Sequence, residues 1–146
     1  MIPLLSREAV RALDADAVAR LGVPSCLLME NAGRGAFEQL RARFSEQLDR
    51  VLIVGGVGQN GGDGWVVARH LLLAGKQPRC LLIGERAKLR GDALLNLTAL
   101  ERLRGPVTSI AGTDLGALEA ALPSASLLVD RLFGTGLDRP VSGAYA

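Results

Sequence analysis

One stretch constrains this chain more than any other: Arg50 to Gly75, RVLIVGGVGQNGGDGWVVARHLLLAG. It opens on a short apolar run, Val51–Val54, long enough for a buried strand. Gly55, Gly56, Gly58, Gly61, Gly62 and Gly64 follow, with Gln59, Asn60 and Asp63 among them. Then Val67, Leu71 and Ala74 recur at helical spacing, which predicts a helix. Strand, glycine-rich loop and helix in that order place backbone N–H groups and the positive end of a helix dipole at an anion.

Gly56 to Gly61 fits the dinucleotide pattern G-x-G-x-x-G, a weak signal by itself. The pattern would put a pyrophosphate at the helix start, and Asp63 is expected in that first turn, where its carboxylate would crowd a phosphate. Two readings of Asp63 stay open. It is an acid favourably placed near a helix N-terminus, or an acceptor for a ligand's hydroxyl or amide groups.

The rest of the core must be built without large aromatics. Of 146 residues, 49% are hydrophobic but only 3% aromatic, so Leu, Val, Ile and Ala fill it, which suits helices packed closely on a parallel sheet. The length is enough for one domain. A formal charge of +2 is too mild for a nucleic-acid surface. Cys26 and Cys80 both lie in apolar runs, with neither metal-ligand spacing nor a disulfide framework, and read as buried free thiols. The N-terminus is charged too early for a secretory signal. No apolar run reaches membrane-spanning length, since Arg69 and His70 interrupt the longest. A cytoplasmic setting is the expectation, with no membrane and no nucleic acid as partner.

Along the chain, Ser6 suits the N-cap of a helix to about Leu21 with Val10, Leu13, Ala17 and Leu21 on its apolar side. Pro24 suits the first turn of a second helix, to about Phe44. Its small pairs, Ala32-Gly33 and Gly35-Ala36, predict close approach to another backbone. Glu30 and Asn31 read as solvated positions, with Asn31 kept as an amide that can serve a ligand. After the glycine stretch, Pro78–Ile83 is a second strand, Asp92 to Leu103 a helix, and Pro106–Ile110 a third strand. Thr113 or Asp114 then caps a short helix stopped by Pro123, and Ser126–Asp130 is a fourth strand. Such alternation predicts a parallel sheet with helices on both faces. In the doubly wound order 3-2-1-4, strands one and four are neighbours at the switch point, where ligands bind beyond the strands' carboxyl ends. The turn after Val54 and the turn after Asp130 then lie side by side.

Asp130, closing an apolar strand, either accepts N–H groups of the following turn or serves as a metal or substrate ligand. With the Asn60 amide oxygen and loop carbonyls it makes a hard-oxygen site of low charge, suited to a weakly held, monovalent cation. Gly134, Thr135 and Gly136 add backbone donors for a phosphate. His70 reads as a helix-surface or capping residue. Glu85 reads as loop polarity, or as a ribose ligand if the chain is an NAD-dependent oxidoreductase. Beyond Asp63 and Asp130 no acid/base pair is visible.

The segments Leu28-Met29-Glu30-Asn31-Ala32-Gly33, Gly56 to Gly64, Ala68-Arg69-His70-Leu71 and Asp130 to Leu137 together resemble the YjeF N-terminal domain family, the NAD(P)H-hydrate epimerases. The resemblance runs along the whole chain. It implies a Rossmann-like three-layer α/β/α sandwich with a mostly parallel sheet and two N-terminal helices. It also implies interconversion of the R and S forms of the hydrated cofactors NADHX and NADPHX, one bound K+ per subunit and a homodimer. By position, Asn60 and Asp130 would hold the K+. Gln59, Asn60, Gly61, Gly62 and Asp63 would wall the substrate site, and Gly134, Thr135, Gly136, Leu137, Asp138, Arg139 and Pro140 would face its phosphates. Gln59 departs from the family's usual asparagine. The family domain continues into further strands and a D-x-P-S-G segment. The expectation is therefore one domain over 1–146, truncated at its C-terminal end, with a C-terminal dehydratase domain fused in many members. The alternative is a non-catalytic nucleotide-binding or interaction scaffold of the same fold.

Overall fold

The computed structural model describes residues 4–110, 116–134, 137, 140 and 141. The order of elements is α1 (Arg7–Ala19), α2 (Ser25–Arg43), β1 (Val51–Gly55), α3 (Gln59–Leu73), β2 (Arg79–Ile83), α4 (Gly91–Arg102), β3 (Val107–Ile110), α5 (Gly116–Ala121) and β4 (Leu127–Arg131). Among the described residues, 3-10 segments precede β1 (Ser45–Arg50), follow β2 (Arg86–Lys88) and follow α5 (Leu122–Ser124). The strands lie in the order β3-β2-β1-β4, every pair parallel. This is the expected doubly wound order, and it makes β1 and β4 neighbours, with Val54 opposite Asp130.

Alternation of side chains along each strand builds a core on each face. Val51, Ile53, Cys80 and Leu82 pack with Phe37, Trp65, Val67, Leu71, Leu97 and Leu100 of α2, α3 and α4. On the other face Leu52, Val54, Leu81, Ile83 and Ile110 meet Ala121 and Leu118 of α5. With helices on both faces the architecture is the expected three-layer sandwich. Burial pushes the Cys80 thiol up to about 12, so it stays protonated, while Cys26 is half-buried and both are free.

The close approach foreseen for α2 occurs at Gly33, where a Cβ would run into the Val66 side chain and come to 3.0 Å of the Asp63 carbonyl oxygen. Gly35 faces open space instead. Pro24 is the N-cap of α2 and not inside its first turn. Ser6 caps α1 as expected, its side chain accepting the Ala9 N–H at 3.2 Å. The apolar side of α1 does not behave as a core face, for no residue of α1 is buried and Leu13 is 56% exposed. Its ties to the body include the Arg7 Nη1 hydrogen bond to the Leu137 carbonyl at 3.1 Å. Glu30 also differs from its expected role. It lies on the face that carries Gly33 and Phe37, so it turns inward to accept hydrogen bonds from Arg69 and from His70 Nε2, the latter at 2.8 Å. Asn31 beside it is exposed.

Candidate functional site at the carboxyl rim of the sheet

The glycine run is less a loop than the beginning of α3. Gly58 is the N-cap, in extended backbone, and the helix starts at Gln59. Glycines inside a helix cost about 1 kcal/mol each relative to alanine, and here close contacts require them. A Cβ on Gly61 would run into the Gly56 carbonyl oxygen, and one on Gly62 would lie 2.6 Å from Met29 Cε and Sδ. The turn is therefore folded tightly onto α3 and leaves its first N–H groups, those of Gln59, Asn60 and Gly61, without partners further back in the helix. The Gly62 N–H is already committed to the Gly58 carbonyl at 3.2 Å. Gln59 is exposed at the mouth of this helix start.

The turns after β1 and β4 meet. Asn60 Nδ2 donates to the Phe133 carbonyl at 2.8 Å, the Gly56 N–H donates to the Arg131 carbonyl at 3.3 Å, and a Cβ on Gly134 would touch Asn60 Cβ at 2.9 Å. Asp130 Oδ1 accepts the Leu132 N–H at 2.9 Å, the first of the two roles open to it, and its residue is exposed, so Oδ2 remains available to solvent. The second turn is itself closed by the Leu137 N–H on the Gly134 carbonyl at 3.2 Å, and Leu137 and Pro140 are exposed. Thr135, Gly136, Asp138 and Arg139 lie outside the described residues.

Asp63 does not sit in the first turn of α3. It opens the second turn, directly after Gly62. Its Oδ2 accepts a hydrogen bond from Arg131 Nη2 at 2.8 Å, a partner that the residue pattern did not single out. The available signal was strand alternation, since Arg131 follows Leu127 and Val129 onto the α3 side of β4. The same alternation sends Asp130 to the opposite face, so Asp63 and Asp130 do not form one carboxylate pair. Burial pushes the Asp63 carboxyl above its ordinary range, with Asp14 adding to the rise and the Arg131 charge and hydrogen bond opposing it.

His70 is no rim residue. It is half-buried, stacked on Phe37 with ring centroids 5.5 Å apart, and bonded to Glu30. Glu85 is exposed and paired with Lys88 Nζ at 2.7 Å. A cavity of about 700 Å³ runs along α4, lined by Leu94, Leu95 and Leu103 with Arg69 and Arg102. It touches the rim region only at Gly91, whose Cβ position lies 3.9 Å from Gln59 Nε2. Among the described residues, no group of three or more His, Cys, Asp or Glu side chains is placed to hold a metal. No helix among them is long and apolar enough to cross a membrane.

A parallel sheet in the order β3-β2-β1-β4, whose first and fourth turns close on each other, defines a doubly wound α/β domain, the class in which ligands bind at such a switch point. The chain belongs to the YjeF_N family, YjeF-related protein N-terminus, whose model matches residues 25–146. It is 38% identical over 146 residues to the NAD(P)H-hydrate epimerase of Rhodopirellula baltica, a match covering 99% of this chain and 57% of that protein. It is likewise 38% identical to the bifunctional NAD(P)H-hydrate repair enzyme Nnr of Moorella thermoacetica, over 98% of this chain and 28% of that protein. The crystal structure of yeast ynu0 superposes with a TM-score of 0.81 at 27% identity, over 97% of this chain and 60% of that one. The chain thus spans less than two thirds of the length of each of these relatives.

Proposed function

We propose that this chain is the epimerase unit of a cofactor-repair enzyme and interconverts the R and S forms of NADHX and NADPHX. The observation that carries this reading is the meeting of two turns distant in sequence, Asn60 on Phe133 and Gly134 on Asn60, at the carboxyl ends of β1 and β4. Relatives named NAD(P)H-hydrate epimerase over nearly the whole chain support it. In this reading the free N–H groups of Gln59, Asn60 and Gly61, with the α3 dipole, draw the dinucleotide's phosphates. Gly62 shapes the wall through its close packing, and residues 134–140 are the phosphate-facing segment of this reading.

The donor set suits a potassium ion. Asn60 spends its amide nitrogen on Phe133 and keeps Oδ1 for a cation, and Asp130 keeps Oδ2. One negative charge among neutral oxygens favours a monovalent ion over a transition metal. Bound there, the ion would offset phosphate charge and orient substrate oxygens. Asp63 is the acid/base candidate, because it is a shielded carboxyl on the helix that carries Asn60, and burial raises its proton affinity above that of an ordinary aspartate. Assembly as a homodimer belongs to the same reading. So does fusion to a dehydratase domain, for which the bifunctional Moorella relative is the model.

The test is equilibration of separated epimers. With K+ present the protein should speed it, and Asp130→Ala should abolish the acceleration. Unchanged rates in Asp130→Ala would remove this site from the reaction. Tight nucleotide binding with no effect of protein on the epimer ratio would instead establish the scaffold alternative.

A further inference from the structure

The Asp63–Arg131 pair is built unlike a pair that serves stability alone. An arginine stabilises a carboxylate best through a two-armed fork. Here Nη2 alone engages Oδ2, at 2.8 Å. Arg131 Nε is buried and finds no partner among the described residues, an omission that costs stability. Asp63 Oδ1 accepts no hydrogen bond among them either. Both side chains are nevertheless largely shielded, at 27% and 22% exposed. The route between them depends on a glycine, for a Cβ on Gly64 would press on Arg131 Cγ at 3.2 Å and Cβ at 3.3 Å. The arginine stem therefore crosses α3 in the groove that Gly64 leaves open.

We propose that Arg131 is a positioning residue for Asp63 in the epimerisation proposed above, on which this role rests: it holds Oδ2 and leaves Oδ1 to exchange a proton with the substrate. Inversion of a hydrate at a carbon next to a ring nitrogen needs no outside reagent. Asp63 gives its proton to the hydroxyl, the C–O bond breaks to release water, and the nitrogen electron pair forms a C=N bond. Water then adds to the opposite face, the C=N pair returns to nitrogen, and Asp63 recovers the proton. The carboxylate formed midway is the species that the Arg131 guanidinium stabilises. The charged groups facing Asp63 are Arg131 from β4 and Asp14 from α1, so removing Arg131 leaves a like charge and burial acting together.

The experiment compares the full chain with Arg131→Gln and Arg131→Lys by carboxyl NMR titration of Asp63 and by epimerisation kinetics across pH. In Arg131→Gln, Asp63 should titrate at higher pH. The value of kcat should fall on the order of tenfold to a hundredfold, with KM within about twofold. The decline of kcat/KM with rising pH should move upward with the titration. Arg131→Lys keeps the charge and should restore most of the titration but only part of kcat, because an ammonium lacks the planar geometry. An active wild type whose Arg131→Gln variant keeps its kcat and its Asp63 titration overturns the role of Arg131 alone. A wild type inert toward both epimers overturns the epimerase reading and this role with it, whatever the titration shows.

Discussion

On one face of the sheet, Val51, Ile53, Cys80 and Leu82 lie under three helices, with Trp65 and Leu97 fully buried among them. On the other, the described cover of Leu52, Val54, Leu81 and Ile83 is α5, the residues around it and Leu132. β4 shows the contrast within one strand. Leu127 and Val129 pack against the thick side, while Leu128 between them is 48% exposed. The difference teaches where the candidate site gets its rigidity. α3, which carries Asn60 and Asp63, is buried along most of its length in the thick layer, so the rim is held from that side.

The largest break of this comparison should come from Trp65→Ala, which empties the thick core beneath Gly55. A loss of roughly 3–5 kcal/mol in chemical denaturation is expected. The same truncation at Leu128 should cost within about 0.5 kcal/mol. Equal costs at the two positions would mean that the faces do not differ as described. Next comes Gly61→Ala, where the new methyl meets the Gly56 carbonyl. Overpacking at a close approach costs roughly 1–3 kcal/mol, and nucleotide binding should weaken more than that, since the displaced backbone is the turn proposed to face the phosphates. Binding unchanged by Gly61→Ala would detach that turn from the site.

A smaller effect sharpens the account of the helix layer. Burial would raise the Glu30 carboxyl, but the hydrogen bonds and charges of His70 and Arg69 outweigh it and hold the group below its ordinary range. A lowered folded-state value means stability that is present above the ordinary glutamate value and lost as pH falls through the lowered one. The wild-type advantage over Glu30→Gln, about 1 kcal/mol at neutral pH for a part-exposed charged hydrogen bond, should therefore shrink on acidification. Asp63 should do the reverse. Its raised value favours the protonated form in the folded state, so its contribution is present below the ordinary aspartate value and lost as pH rises through the raised one. Melting curves of Glu30→Gln and Asp63→Asn across the acid range check both signs.

The sheet was legible because alternating apolar runs and helical periods leave few right-handed topologies, and strand order alone brings Val54 opposite Asp130. The small residues of α2 announced the Gly33 contact for the same kind of reason, local spacing. What stayed hidden was long-range and polar. Arg131 finds Asp63 across the β4–α3 interface, and Glu30 finds Arg69 and His70 across α2 and α3. Glu30 did carry a signal, since it shares a helix face with Gly33 and Phe37, which are buried. The start of α3 was placed slightly late, with Asp63 in the first turn, because glycine's low helix propensity points away from a helix beginning at Gln59, and tertiary contact overrides it. The apolar side read for α1 is largely exposed in this chain, with Val10, Leu13 and Leu21 all open to solvent. Periodicity shows that a helix has an apolar side, not what covers it.

The central claim is that the turns after β1 and β4 act as one grip on a nucleotide and an ion. It is tested most directly by titrating the labelled chain with NADP+ in potassium buffer and following backbone amide shifts. The account predicts that Gly58 to Gly61 and Asp130 to Gly134 move together, with one affinity. Shifts confined to one of the two turns, or gathered instead along the α4 cavity at Leu94 and Leu103, would contradict it.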